Sequence, residues 1–269
     1  MSNPAGSGPT REQLNRRLDR ERKARQQAEK IAEDATSRLY NTMEELKLLN
    51  HALRDFVAIA SHDLRTPLTA ITGFAAMLHE RWELLDEDDK RQFVATIDRS
   101  AQSLASLVED LLTISRLEAG ALDTQRSVVV LSQVVNEAMR NFRDRAGEIS
   151  VRVTDELQVS VDPGHLERII TNYLTNALKY GAPPFSIDAE SVDGWVEIRV
   201  RDHGDGVPAD FVPRLFVRFA RAATASTKTG TGLGLSIVRG LAQANGGDAW
   251  YEINDPQGSC FVLRLPTAA

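Results

Sequence analysis

The chain has 269 residues, long enough for one large domain or two modest ones, each with its own core. With 42% apolar and 26% charged residues it belongs with globular chains, not with disordered or fibrous ones. A net charge of −6 without a Lys/Arg tract interleaved with aromatics excludes a general nucleic-acid binder, and the single cysteine, Cys260, excludes an intrachain disulfide.

In chain order, residues 1–12 are rich in Gly, Pro and Ser and predict a disordered N-terminus. They lack the apolar core of a secretion signal. No run reaches the ~20 apolar residues of a bilayer span, so the expectation is a cytoplasmic chain without a membrane span. From Leu14 to Ala60, alternating four- and three-residue steps land on apolar side chains except at Glu21, Arg25 and Thr42. A sustained heptad seam of this kind predicts a coiled-coil helix over 13–54, pairing in a parallel dimer.

The seam runs unbroken into ASHDLRTPLT at 60–69, where Pro67 predicts a kink because it lacks an N–H and crowds the preceding turn. The helix continues through Ile71, Phe74 and Leu78. The stretch LLDEDDKRQ predicts a turn and a new helix start, capped by Asp86, Asp88 or Asp89. Phe93, Ile97, Ala101, Leu104, Val108 and Leu111 then recur at helical spacing, and Gly120 suits the C-terminal cap. Two such helices cannot cover their apolar faces alone. Two copies of the 55–120 hairpin close a four-helix bundle, which makes this a dimerisation domain.

Beyond residue 123 the texture changes. Short β-rich runs (SVVVL, SVRVTD, VSVD, FSIDAE, WVEIRVRD, DAWYEI, SCFVLRL) surround helical stretches near 132–145, 163–179 and 231–245. The runs cluster in neighbouring pairs, which predicts an α+β sandwich over 124–269 rather than a doubly wound parallel sheet. Cys260, in SCFVLRL, reads as a buried strand residue.

Four clusters here carry chemistry. In N172-Y-L-T-N176-A-L-K179-Y180, Asn172 and Asn176 share a helix face, where two amide oxygens suit a hard cation such as Mg²⁺. Lys179 suits a phosphate and Tyr180 offers a ring to a base. In D202-H-G204-D-G206, after a strand, the glycines permit a tight turn, and the Asp202 carboxylate suits an exocyclic amine. In G230-T-G232-L233-G234, glycines opening a helix present N–H groups and a positive dipole end to phosphate. No strand precedes them and the spacing is G-x-G-x-G, so the dinucleotide-loop reading fails. Phe216 and Phe219 anchor a small, polar segment reaching Thr229 that reads as a lid, with Arg218 and Arg221 available to phosphates.

Taken in order, these clusters resemble the N, G1, F and G2 boxes of the ATP-binding domain of sensor histidine kinases, and S61-H62-D63-L64-R65-T66-P67-L68 resembles their H box. The resemblance covers roughly residues 55–266. It implies a GHKL-type (Bergerat) sandwich and a homodimeric protein histidine kinase using ATP and Mg²⁺, with Mg²⁺ held at Asn172 and Asn176. His62 is the implied phospho-acceptor and Asp63 its orienting carboxylate, and Thr66 places water for dephosphorylation of a response regulator. Asn172, Asn176, Lys179, Tyr180, Asp202, Gly204, Gly206, Arg218, Arg221, Gly230, Gly232, Leu233 and Gly234 form the implied nucleotide site. The implied acceptor is an aspartate of a receiver domain on a separate response regulator, with input from an upstream sensor or partner. Two departures stand out: His203 where Asn is common, and Thr229 in place of one glycine of a frequent pair. The remaining histidines, His51, His79, His165 and His203, have no ligand set around them and read as surface or packing residues.

Overall fold

The computed structural model describes residues 11–221 and 231–268 and separates the chain into two units, residues 1–58 and 59–269. The lid segment from Ala222 to Thr229, and Gly230, therefore lie outside the described residues. So do residues 1–10 of the expected disordered stretch. Arg11 and Glu12 already belong to the first helix, α1 (Arg11–Arg81).

Among the described residues of the first unit, α1 is the sole element. Leu39 and Leu46, both on the expected heptad seam, are exposed along with Tyr40 and Met43.

The second unit begins with a helical hairpin. α1 contains Pro67 and stays helical on both sides of it. After a short turn, α2 (Glu87–Glu118) starts at Asp86, whose carboxylate accepts a 2.7 Å bond from the Asp89 N–H. Of the three candidate caps, Asp86 alone stands one residue before the helix. At the other end Gly120 takes φ +60°. The Gly120 N–H donates to the Leu117 carbonyl and the Ala121 N–H to the Arg116 carbonyl, closing the helix in the way a left-handed glycine permits. Phe74 and Phe93, with ring centroids 5.1 Å apart, clasp the two helices. Leu68, Met77, Val94, Val108 and Leu112 stay exposed, so the hairpin's apolar surface exceeds what one copy covers.

The remainder is an α/β sandwich. Its strands are β1 (Ser127–Val130), β2 (Ile149–Arg152), β3 (Gln158–Val161), β4 (Phe185–Val192), β5 (Trp195–Arg201), β6 (Asp248–Ile253) and β7 (Ser259–Pro266). All seven β-rich runs are strands. They form a five-stranded sheet ordered β2-β4-β5-β7-β6, in which only β2 and β4 are parallel, and a separate antiparallel pair, β1 and β3. The single parallel pair is why strict strand–helix alternation is missing from the sequence. In β5 the alternation is plain: Val196, Ile198 and Val200 are buried, while Trp195, Glu197, Arg199 and Arg201 face outward.

Three helices, α3 (Leu131–Met139), α4 (Pro163–Tyr180) and α5 (Gly234–Ala244), cover the inner face. α4 buries Leu166, Ile169, Ile170, Tyr173, Leu174 and Ala177, a stripe at helical spacing. Each such Leu or Ile contributes roughly 1.5–3 kcal/mol on burial. The Tyr173 hydroxyl donates to the Val262 carbonyl at 3.0 Å, so the ring is buried without an unsatisfied polar end. Cys260 lies buried in β7, and burial pushes its thiol up to about 11, which keeps it protonated and inert. Among the described residues no helix is long and apolar enough to cross a membrane.

Candidate functional site

On α1 the His62 imidazole is 78% exposed, and its Nδ1 lies 3.1 Å from Asp63 Oδ1. An ionised carboxylate only accepts, so the proton of a neutral ring sits on Nδ1 and the lone pair is left on Nε2. Thr66 is one turn further on, and its hydroxyl donates to the His62 carbonyl at 3.3 Å. All three side chains therefore occupy one turn of a helix with the imidazole open to solvent.

The four downstream clusters meet in space. α4 ends at Gly181, where a Cβ would stand 2.4 Å from Asp202 Cγ. At Gly204 a Cβ would stand 2.8 Å from Gly181 Cα. The end of the Asn helix and the Asp-x-Gly-x-Gly turn are thus in direct backbone contact. Gly234, the first residue of α5, sits against Asn172, whose Oδ1 would be 2.8 Å from a Cβ there. Gly232 takes φ +69° and accepts from the Phe219 N–H at 3.0 Å. A Cβ on Gly232 would run into Phe219 and Ala220. Phe219 itself holds φ +59°, a conformation that costs energy outside glycine and marks a tightly determined junction.

Asp202 is the buried carboxylate of this site. Its Oδ1 accepts from the Gly204 N–H at 2.9 Å and the Ser259 N–H at 3.3 Å, and the Asn254 side chain donates to its carbonyl. Burial pushes its carboxyl above the usual value, and the two N–H donors hold the rise back. Asn172 is tied by its amide nitrogen to the Arg168 carbonyl at 3.1 Å, which leaves its oxygen facing Gly234. Asn176 is half-buried one turn on. Lys179 lies over the Tyr180 ring, 5.1 Å from its centre. Burial raises the Tyr180 hydroxyl's pKa, and the Arg221 charge, near enough to be felt, opposes that rise. Leu233 is fully buried, with its N–H donating to the Thr231 hydroxyl. Gly206 takes φ +73° under Gly258.

Arg218 goes elsewhere: it pairs with Glu118 at the end of α2. His203 bonds through Nδ1 to the Pro184 carbonyl at 2.7 Å. Sequence reading missed Gly181, Asn254, Gly258 and Ser259, which build the walls around Asp202. A Cβ at Gly258 would stand 1.9 Å from the Asp202 carbonyl oxygen. The turn-forming stretches GAPP and NDPQGS were the available signal.

Among the described residues no group of three or more His, Cys, Asp or Glu could hold a metal. A hard cation here would rest on the amide oxygens of Asn172 and Asn176 together with phosphate and water, a donor set that suits Mg²⁺.

A buried carboxylate, an amide-bearing helix and a glycine-rich helix start thus lie together in the sandwich, and an exposed histidine stands on the hairpin. Residues 52–120 match the family described as His Kinase A (phospho-acceptor) domain. Residues 161–269 match the family described as Histidine kinase-, DNA gyrase B-, and HSP90-like ATPase. The signal transduction histidine-protein kinase AfsQ2 of Streptomyces coelicolor is 33% identical over 244 residues, covering 86% of this chain and 45% of that protein. The solved structure of the Acinetobacter baumannii histidine kinase AdeS aligns with a TM-score of 0.59 at 25% identity, over 77% of this chain and 98% of that one. Full-length ShkA in complex with AMPPNP aligns with a TM-score of 0.57 at 29% identity, over 80% of this chain and 46% of that one. The chain belongs to the sensor histidine kinases of two-component systems. It spans less than half the length of AfsQ2 and of other curated relatives that it matches.

Proposed function

We propose that the chain is an ATP-dependent protein histidine kinase. It phosphorylates His62 and passes the phosphoryl group to an aspartate of a response-regulator receiver domain. The observation that carries this reading is the serial contact of the four clusters, Gly181 on Asp202, Gly234 on Asn172 and Gly232 on Phe219, around one buried carboxylate. ShkA, aligned above, was solved with a non-hydrolysable relative of ATP, and that supports the choice of nucleotide.

Asp202 accepts the exocyclic amine of adenine, a bond that a buried carboxylate makes strongly and selectively. Tyr180 lies against the base. Gly232 and Gly234 let the loop and the N-terminal end of α5 approach the phosphates, whose charge suits that helix end. Lys179 and Arg221 add positive charge, and Asn172 and Asn176 hold Mg²⁺, which neutralises the phosphate oxygens when bound. Nε2 of His62 attacks the γ-phosphorus. An N–P bond forms, the bond to the β,γ-bridging oxygen breaks, and ADP leaves. The Nδ1 proton stays in place, facing Asp63, which stabilises the positive charge spread over the ring.

In the reverse sense Thr66, one turn from His62, places water against the phospho-aspartate of the regulator. Residues 13–54 form a signalling coiled coil, 55–120 the dimerisation and phosphotransfer domain, and 124–269 the catalytic domain. The exposed apolar side chains of the hairpin meet a second copy. Input reaches the hairpin from an upstream sensor or partner.

Incubation with γ-labelled ATP and Mg²⁺ tests the reading. Wild type should acquire an acid-labile, base-stable label and His62→Gln none. Nucleotide binding without any label would point instead to a non-catalytic scaffold.

A further inference from the structure

Asn245, the residue that ends α5, is fully buried and commits both ends of its side-chain amide. Its Oδ1 accepts from the Asp162 N–H at 2.9 Å, which fixes the amide's orientation. Its Nδ2 donates to the Leu241 carbonyl at 2.7 Å and faces His165 Nδ1 at 3.1 Å. An amide NH₂ only donates, so His165 Nδ1 accepts and the proton of the neutral ring sits on Nε2. Asp162 is the next link. Its Oδ1 caps α4, accepting from the Gly164 and His165 N–H groups at 3.0 and 3.2 Å. Its Oδ2 accepts from the Gln125 N–H at 3.0 Å. One chain of bonds thus joins the end of α5, the start of α4 and the stretch that leads in from the hairpin.

This chain of bonds tolerates one protonation state of His165. A proton on Nδ1 would turn an acceptor into a donor and set N–H against N–H at 3.1 Å. Asn245 cannot turn over to relieve the conflict. The flipped amide would aim its NH₂ at the Asp162 N–H and its oxygen at the Leu241 carbonyl. A buried amide that loses a partner in this way carries the cost of an unsatisfied polar group. The imidazole is half-buried and lines a cavity of about 250 Å³ together with Glu109 and Arg116 of α2, Asp123 and Arg168. Arg168 is itself paired with Asp110 of α2 at 2.7 Å. Burial lowers the His165 pKa, the Asp162 carboxylate opposes that, and the Arg168 charge adds to the lowering.

We propose that His165, Asn245 and Asp162 form a proton-sensitive joint between α4 and α5, closed while the imidazole is neutral and loosened when mild acid protonates it. A free histidine titrates at about 6.5, and the folded ring titrates lower. Between the two values the folded chain therefore binds fewer protons than the unfolded one. The stability that the joint contributes is complete above this window and is lost as pH falls through it. Loosening reaches the nucleotide site along the helices themselves, because α4 carries Asn172 and Asn176 and α5 starts at Gly234. The joint stands on its own bonds and does not depend on the kinase reading.

The test uses the full chain with and without His165→Gln. Glutamine keeps an acceptor for Asn245 and has no proton to gain in this range. The first readout is the ring spectrum of ¹⁵N-labelled histidine in the wild type, with His165 assigned through the α4 backbone. His165 should be the Nε2–H tautomer at neutral pH and should titrate below a free histidine. The second readout is urea unfolding followed through the emission of Trp195 and Trp250 in the sandwich, with Trp82→Phe in both chains. Between about pH 7 and 5.5 the wild type's unfolding constant should rise roughly threefold to tenfold relative to that of His165→Gln, since one proton gives at most about tenfold per pH unit. Contributions from Asp202 and the other histidines are common to both chains and cancel in that ratio. An Nδ1–H tautomer, a titration midpoint at or above that of free histidine, or a constant ratio overturns the joint. The wild-type spectrum decides even if the variant fails to fold. Neither readout involves ATP, so the result is independent of whether His62 takes up label.

Discussion

Asp202 concentrates the chemistry of the nucleotide site in one carboxyl group. Its folded-state pKa is raised, chiefly by burial, so between the ordinary carboxylate value and the raised one the folded chain binds more protons than the unfolded chain. The domain therefore gains stability as pH falls through that window and loses it as pH rises. Nucleotide binding runs the other way. An adenine amine needs an acceptor, and a protonated Asp202 offers one less. Affinity for ATP should thus weaken as pH is lowered into the window, and binding should release a proton. Asp202→Asn replaces the charged acceptor and should weaken binding by roughly one to two orders of magnitude and remove the pH dependence. Isothermal titration at several pH values checks both. Retained affinity in the variant would remove Asp202 from the base pocket.

At the scale of elements, α2 depends on its two ends. Asp86 supplies one of the missing acceptors for the first turn, and Gly120 closes the last. Asp86→Ala should lower the hairpin's stability by about 1 kcal/mol, read as a fall in the urea midpoint without a change in slope. The helix caps, the long first helix, the seven strands and the Asn, Asp and Gly clusters were all legible in the sequence because each is a local pattern with a fixed period or spacing. What was not legible is where distant pieces meet. Arg168 and Asp110 are 58 positions apart, and each looks like an ordinary surface charge in its own helix. The stretch NDPQGS marks Gly258 only as part of a turn, yet this glycine walls in Asp202, 56 positions earlier in the chain. Arg218 looked like a phosphate ligand from its neighbours alone, and its partner Glu118 is 100 positions away.

At the scale of the molecule, the exposed His62 imidazole and the buried Asp202 carboxyl lie in the hairpin and the sandwich, joined by the stretch after Gly120. Phosphorylation needs the two brought together, and transfer onward needs them apart. The most direct test of the central claim is ³¹P NMR of the chain after reaction with ATP and Mg²⁺ at alkaline pH. With Nδ1 held protonated by Asp63, the phosphoryl group should appear on Nε2 of a single histidine, and His62→Gln should show no phosphohistidine signal. A phosphate on Nδ1, or a phosphohistidine signal that survives His62→Gln, would contradict it.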